Sequence, residues 1–540
     1  MTYLSAQPHL MAAAAAEVAG IGSAIDEATA AAASTTTGVA AAAADDVSAA
    51  TARLFNTFAR ECQVVLAQAA DFHREFARAL LATQGAYLAA EVANVGAVNA
   101  GGAVSAVTSP AAAQPLVALA MGGTANPTPT TAYVDAVNSL FIQRSAPGAI
   151  PQALATPAAL YPVTGVRDLV FDMSVRNGVS VLDTAINAQL AAGNHVTVFG
   201  YSQSAVIASL EMRQLAALGP NAPSPAELDF VLIGNLMNPN GGIFQRFAGL
   251  TFPALGLTFA GATPDNLYPT TIYTREYDGF ADFPQYPLNF VSVLNAYAGV
   301  GFVHFGYAQL TPEQIDSAVT LPTQGPTMTT YKMIPTEDLP LLAPLRAIPI
   351  LGKPLASLIE PDLRVIVNLG YGDPAYGYST GPANVPTPFG LFPPVSLDTV
   401  VDALAAGSQQ GIRDFAADLQ QLSSAPISVP PLSTPGVTSP ATGLVVPTPN
   451  DVAGAVASIV STDYALLLPM ADLALSAVVG LPAYDATQFA RGLAEGSLVN
   501  AIGYPFTATV TLLPMAGVLG GLAIGRALAA NISDIEGLIS

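Results

Sequence analysis

Ser202 stands two residues after Gly200 and two before Ser204, where the β-forming run 196–199 gives way to a helix-forming run that begins at Ala205. That spacing suits a nucleophile elbow, a sharp strand-to-helix turn that lifts a serine hydroxyl clear of a sheet. Its neighbours at two positions on either side must be small, because strand and helix nearly touch there. A serine hydroxyl is a weak nucleophile unless a general base takes its proton. The sequence holds four histidines, at 9, 73, 195 and 304. His9 and His73 lie in an N-terminal helical region, and His195 precedes the elbow strand, at the far end of the sheet from Ser202. His304, in Val-Gly-Phe-Val-His-Phe-Gly-Tyr, is therefore the candidate base.

An orienting acid is expected between serine and histidine, at the end of a strand. The segment 272–284 offers Asp278 directly after a strand and Asp282 four residues on, whereas Asp229 and Asp265 are less well placed. Asp278 is preferred, with Asp282 as the alternative, and the unused aspartate should cap the following turn. Two backbone N–H groups must also face the developing oxyanion. Gln203, the residue after the nucleophile, supplies one. Thr124, in the glycine-rich loop Met-Gly-Gly-Thr-Ala after an early strand, is the candidate for the second, with its hydroxyl available to help.

These residues must be carried by a sheet. Between 114 and 425, apolar strand-like runs at 115–121, 196–200, 228–234, 270–277 and 363–370 alternate with amphipathic helical runs. Continuous apolar strands separated by helices predict an α/β domain whose central, mostly parallel sheet is covered on both faces. The stretch 339–361, apolar and broken by prolines, reads equally as a flap over the site and as a core-packing insertion.

The remaining chain divides into four parts. Residues 1–95 are alanine-rich and helical in pattern, with a turn at Thr37-Gly38. Phe55, Phe58, Cys62, Val65, Ala69, Phe72 and Phe76 form an apolar seam of coiled-coil spacing there. A hairpin with so little bulk in its first helix is expected to bury that seam against a helical partner. Residues 96–113 and 426–450 read as linkers, the second proline-rich. Residues 451–540 are apolar and helical, broken by prolines, and show no chemistry of their own. They are expected to pack on the α/β domain or on membrane or cell-wall lipid, and 496–525 is free of charge and long enough to span a bilayer.

Composition narrows the function. The 540 residues carry a formal charge of −21, which argues against nucleic acid, since that partner needs a basic face. A single cysteine allows no intrachain disulfide and argues against a zinc cluster. The first basic residue is Arg53 and no compact apolar core precedes a cleavage site, so no secretory signal peptide is expected.

Two resemblances follow from quoted stretches. The alanine-rich hairpin ending in Gln-Gly-Ala-Tyr-Leu-Ala-Ala-Glu-Val-Ala-Asn-Val resembles the PE module of mycobacterial proteins. In it Tyr87 and Glu91 match the Y-x-x-x-[DE] signal for type VII secretion, one helical turn apart. The Pro-Glu pair that gives the family its name is absent, because Pro8 is followed by His9. This resemblance implies export to the cell surface or cell wall by the type VII secretion machinery and pairing with a PPE-family protein. The segments around Gly122, Ser202, Asp278 and His304, in that order, with 369–378 beyond them, resemble the PE-PPE domain, a cutinase-like serine α/β-hydrolase. It implies esterase or lipase activity on short to medium acyl esters, with the family's serine at Ser202, its histidine at His304 and its acid in 277–282. Such chemistry needs no metal or organic cofactor. An acyltransferase on cell-wall glycolipids using the same residues, and a non-enzymatic surface protein, are the competing expectations.

Overall fold

Seven strands form the main sheet of this chain: β1 (Leu116–Ala120), β2 (Ile150–Ala153), β3 (His195–Tyr201), β4 (Leu228–Ile233), β5 (Thr270–Arg275), β6 (Val319–Thr320) and β7 (Thr329–Ile334). Their order is β2-β1-β3-β4-β5-β7-β6, parallel throughout except for the β6–β7 edge pair. The computed structural model describes residues 115–424 apart from 167, residues 448–539, and scattered positions between 30 and 60. The helical seam at 55–76, Tyr87, Glu91 and the first linker at 96–113 lie outside the described residues, except that Asn56 and Arg60 are helical.

Helices cover both faces. The principal ones are α1 (Thr131–Val137), α2 (Phe171–Ala191), α3 (Gln203–Ala217) and α4 (Phe290–Phe302). Because successive strand side chains point to opposite faces, Val198 joins α2 and α3 residues such as Leu182, Ile186 and Ile207 in one core. The next residue, Phe199, joins Val137, Phe141 and Tyr273 in the other. Strand order reverses at β1 and β3: the chain runs outward from β1 to β2, then crosses to β3. The loops leaving β1 and β3 therefore part at the carboxyl edge of the sheet. Such a divergence opens the crevice where open α/β sheets bind ligands.

The strands differ from the sequence reading at 363–370 and at β2, β6 and β7, which that reading does not include. The run 363–370 reads as a strand in sequence, but 363–368 end α5 (Gly352–Asn368), which runs through Pro361, and 369–370 form a turn. A short apolar run such as Val365-Ile366-Val367 has the same signal in either state, and here the i,i+4 pair Glu360–Arg364 (2.6 Å) favours the helix. The sheet is instead completed by β2, β6 and β7, and in β7 Thr329, Tyr331 and Met333 are buried while Thr330 and Lys332 are not. The stretch 339–361 is no flap over Ser202. Leu339, Leu342 and Ala356 pack in a small core with Tyr277 and Tyr371, and α5 lies along α6 (Leu397–Ser424).

The last part folds as α7 (Pro449–Ala465), α8 (Leu467–Leu475), α9 (Leu481–Ala494) and α10 (Leu498–Ile539). Two stretches, Asn450–Ala494 and Leu498–Leu538, are long and apolar enough to cross a membrane. One side of this bundle nevertheless enters the main core through Leu473, Leu481, Ala508, Leu512 and Met515. The Tyr161 hydroxyl donates to Asp472 (2.6 Å), and the Tyr297 hydroxyl donates to the Thr511 carbonyl. The other side leaves Val460, Leu468, Val478 and Leu528 exposed.

One buried group on the elbow helix is not used by the site. Glu211 on α3 has no exposed surface and neither of its carboxylate oxygens has a hydrogen-bond partner among the described residues. Burial, together with the negative charge of Asp183, pushes its carboxyl up to about 8. Its folded value is raised above the unfolded one, so its stabilising contribution is full below about pH 4.5 and is lost as pH rises through about 8. Glu211→Gln removes that titration. In paired denaturant melts the variant should match wild type near pH 4.5 and exceed it at pH 8 by on the order of 3 kcal/mol. A stability difference that does not change with pH would show that folding leaves the Glu211 carboxyl unshifted.

Candidate active site

Ser202 sits between β3 and α3 with φ 56° and ψ −117°, a conformation that costs a non-glycine residue strain and recurs where a turn must expose a side chain. Gly200 makes the turn possible. A Cβ there would lie 2.7 Å from the Ser204 carbonyl oxygen and 3.0 Å from the Ala205 Cα. On the other side of the turn a serine replaces the more usual glycine, and its side chain is folded inward. The Ser204 hydroxyl accepts from the Tyr201 N–H (2.8 Å) and donates to the Tyr201 carbonyl (3.1 Å), so it ties the turn together instead of obstructing it.

Three side chains from separate elements meet here. His304 opens a 3₁₀ turn, His304–Gln309, after α4. Its Nε2 lies 2.8 Å from the Ser202 Oγ, and its Nδ1 lies 2.9 Å from both Asp278 oxygens. Asp278 and His304 have no exposed surface, and Ser202 is 8% exposed. Asp278 Oδ1 also accepts the Phe280 N–H (2.9 Å) and the Ala281 N–H (3.2 Å), and Oδ2 accepts the Tyr307 hydroxyl (2.8 Å). Burial alone would push this carboxyl up. The neighbouring His304, the Phe280 amide and the Tyr307 hydroxyl outweigh it and hold Asp278 below the usual carboxylate value. An ionised acid on Nδ1–H leaves Nε2 free to accept a proton from Ser202.

Asp282 lies behind this line. It is 1% exposed; one carboxylate oxygen accepts the Tyr277 N–H (3.0 Å) and the other has no partner among the described residues. Burial, reinforced by the charges of Glu276 and Asp278, pushes its carboxyl well above the usual carboxylate value. His195 stands at the opposite end of β3, bonded to Asp229 (2.6 Å) and the Ala226 carbonyl (3.0 Å).

The loop after β1 approaches the serine closely. A Cβ on Gly123 would lie 3.3 Å from the Ser202 Cβ and 3.1 Å from the Tyr201 ring. The backbone N–H groups of Thr124 and Gln203 have no hydrogen-bond partner among the described residues. The Thr124 hydroxyl, expected to face a substrate, instead donates to the Gln203 side-chain oxygen (3.2 Å). The Gln203 amide donates in turn to the Ala159 carbonyl (2.8 Å) and the Ser174 hydroxyl (3.1 Å). Gln203 thus locks the β1 loop and the elbow into one frame, a role the sequence reading did not assign to its side chain.

Other contributors were also not anticipated. Tyr307, three residues after His304 in a 3₁₀ turn, returns to the same face and reaches Asp278; the i,i+3 spacing in His-Phe-Gly-Tyr was the available signal. The Tyr201 hydroxyl donates to the His304 carbonyl (2.6 Å), and the Phe280 ring meets the imidazole edge-on at 4.8 Å. A cavity of about 70 Å³ opens beside Ser202, Gln203 and Thr124 and is otherwise walled almost wholly by apolar side chains, among them Phe171, Phe244 and Phe259. The described residues hold no group of three or more His, Cys, Asp or Glu that could bind a metal ion.

Comparison with known proteins agrees in kind. Residues 147–372 match the PE-PPE domain model and residues 4–94 match the PE family model. PPE family protein PPE28 of Mycobacterium tuberculosis is 53% identical over 452 residues, covering 80% of this chain and 69% of that protein. Esterase PE16 of the same organism is 46% identical, covering 75% of this chain and 76% of the relative. At greater distance, SL1278 acyltransferase Chp1 of that organism is 31% identical, covering 42% of this chain and 55% of its own length.

Proposed function

Since the chain belongs to the mycobacterial PE family and carries a PE-PPE domain, we propose that it is a serine esterase that cleaves acyl esters through Ser202, His304 and Asp278. The observation that carries this reading is the unbroken hydrogen-bonded line Asp278–His304–Ser202, with bonds of 2.8 and 2.9 Å, beside an apolar cavity. His304 Nε2 takes the Ser202 proton as Oγ attacks the ester carbonyl. The oxyanion that forms is met by the Gln203 and Thr124 N–H groups. His304 then passes the proton to the departing alkoxide, leaving an acyl-serine. Water, activated by the same imidazole, releases the acid and restores the serine. Asp278 holds the imidazole in the required tautomer and balances its charge when protonated.

A second reading keeps the same first half-reaction and replaces water by an alcohol. Similarity to an acyltransferase supports it, and the apolar wall suits an acyl-enzyme that must survive until an acceptor arrives. Product analysis with and without a sugar acceptor separates the two. The PE module supports pairing with a PPE-family protein, and Tyr87 and Glu91 are the proposed signal for type VII export to the cell surface.

The decisive experiment is fluorophosphonate labelling of the full chain followed by peptide mass analysis. One adduct is expected, on the peptide containing Ser202, with ester turnover falling in step with its formation. A folded protein that takes no adduct at Ser202 would leave the non-enzymatic reading in its place.

A further inference from the structure

Met515, Val518, Leu519 and Leu522 of α10 share the cavity that contains Ser202. Their spacing, i, i+3, i+4 and i+7, is that of one face of a helix. Exposure rises along the stripe from 7% at Met515 to 41% at Leu522, so the face runs from the packed interior toward solvent. It is not loosely applied. One and two turns earlier Leu512 and Ala508 are buried in the main core, and the Thr511 carbonyl accepts the Tyr297 hydroxyl. These contacts fix the rotation of α10 and aim the stripe at the opposite wall, where Phe171, Phe244 and Phe259 stand. No charged side chain lines the cavity; apart from Tyr297, its polar residues are Ser202, Gln203 and Thr124. That lining suits a ligand with one polar reacting group and an aliphatic body.

We propose that α10 is the acyl-chain wall of the site, so that Met515, Val518, Leu519 and Leu522 determine the length of chain accepted. The proposal rests on reading Ser202 as the nucleophile. It places substrate selection outside the 147–372 segment matched by the PE-PPE model, in a region whose sequence shows no chemistry.

The test uses the full chain with a series of p-nitrophenyl esters from C2 to C12. Leu519→Trp should narrow the cavity and lower kcat/KM on long chains relative to that on the C2 ester. Each methylene that loses its seat costs about fourfold, so the loss should reach tenfold or more by C8. Leu519→Ala should move the optimum the other way. Ile524→Trp, at a half-exposed position on α10 outside the cavity lining, should keep the wild-type profile. The inference falls if both Leu519 variants keep that profile, or if Ile524→Trp shifts it as far as Leu519→Trp does. If wild type neither hydrolyses the C2 ester nor is labelled at Ser202, the fault lies with the reading of the serine, and the wall falls with it.

Discussion

Ser202→Ala should lower kcat/KM on a short p-nitrophenyl ester by about 10⁴-fold or more, with its unfolding transition close to wild type. The first half follows from the role of Oγ. It is the hydroxyl that faces His304 Nε2 at 2.8 Å, and removing it leaves only binding and the oxyanion amides, which sustain a residual rate. In barrier terms the loss is roughly 5.5 kcal/mol or more. The second half follows from packing. The hydroxyl's one recorded bond is to His304, and alanine suffers no more than serine from a φ of 56°. The Gly200 approach and the Ser204 clasp that hold the turn are untouched. Activity and stability are thus expected to separate cleanly. A drop of less than about tenfold, in a variant that melts like wild type, would mean that another group does the chemistry.

The parts of this site that were legible in the sequence are those fixed by local rules. An elbow demands small residues around the serine and a strand before it, and both demands are written within ten residues, 196–205. His304 could be reached by elimination because histidine is scarce here. The long-range parts were not legible. Gln203 was chosen for its backbone, yet its side chain bridges Thr124, Ala159 and Ser174, residues 79, 44 and 29 positions away, which no pattern along the chain announces. The β7 strand alternates as a half-buried strand should, but its Thr and Lys content hid it beside the louder apolar run 363–370, which the Glu360–Arg364 pair turns into helix. The C-terminal helices left their packing surface open for a different reason. Apolar residues carry no direction, so the stripe at 515–522 reads the same whether it faces lipid, a core or a substrate. Only the burial of Ala508 and Leu512 fixes which way it points.

The two aspartates four residues apart should respond oppositely to the same change. Asp278→Asn is expected to cost about 10⁴-fold in kcat, and Asp282→Asn less than about threefold. The asymmetry comes from what each oxygen touches. Asp278 Oδ1 accepts two backbone N–H groups, from Phe280 and Ala281, so an asparagine there must keep its carbonyl oxygen at that place. Its amide nitrogen is then forced to the Oδ2 position, 2.9 Å from His304 Nδ1, where it can only donate. That N–H competes with the retained oxygen for Nδ1 and favours the tautomer with a bare Nδ1 and the proton on Nε2. A protonated Nε2 faces Ser202 as a donor and cannot take the serine proton, the wrong-tautomer defect that costs about 10⁴ in serine proteases. The charge that balances the imidazolium is lost as well. Asp282 starts from a different state. Burial and the charge of Glu276 push its carboxyl well above the usual value, and the carboxyl's one hydrogen bond among the described residues is from the Tyr277 N–H, which an asparagine carbonyl accepts equally well. Replacing a carboxyl that disfavours its charge by a neutral amide of the same shape therefore changes little. Steady-state kinetics of both variants across pH 6 to 9 distinguish the roles. Similar losses in the two, or a larger loss at Asp282, would mean that the acid serving His304 is not Asp278.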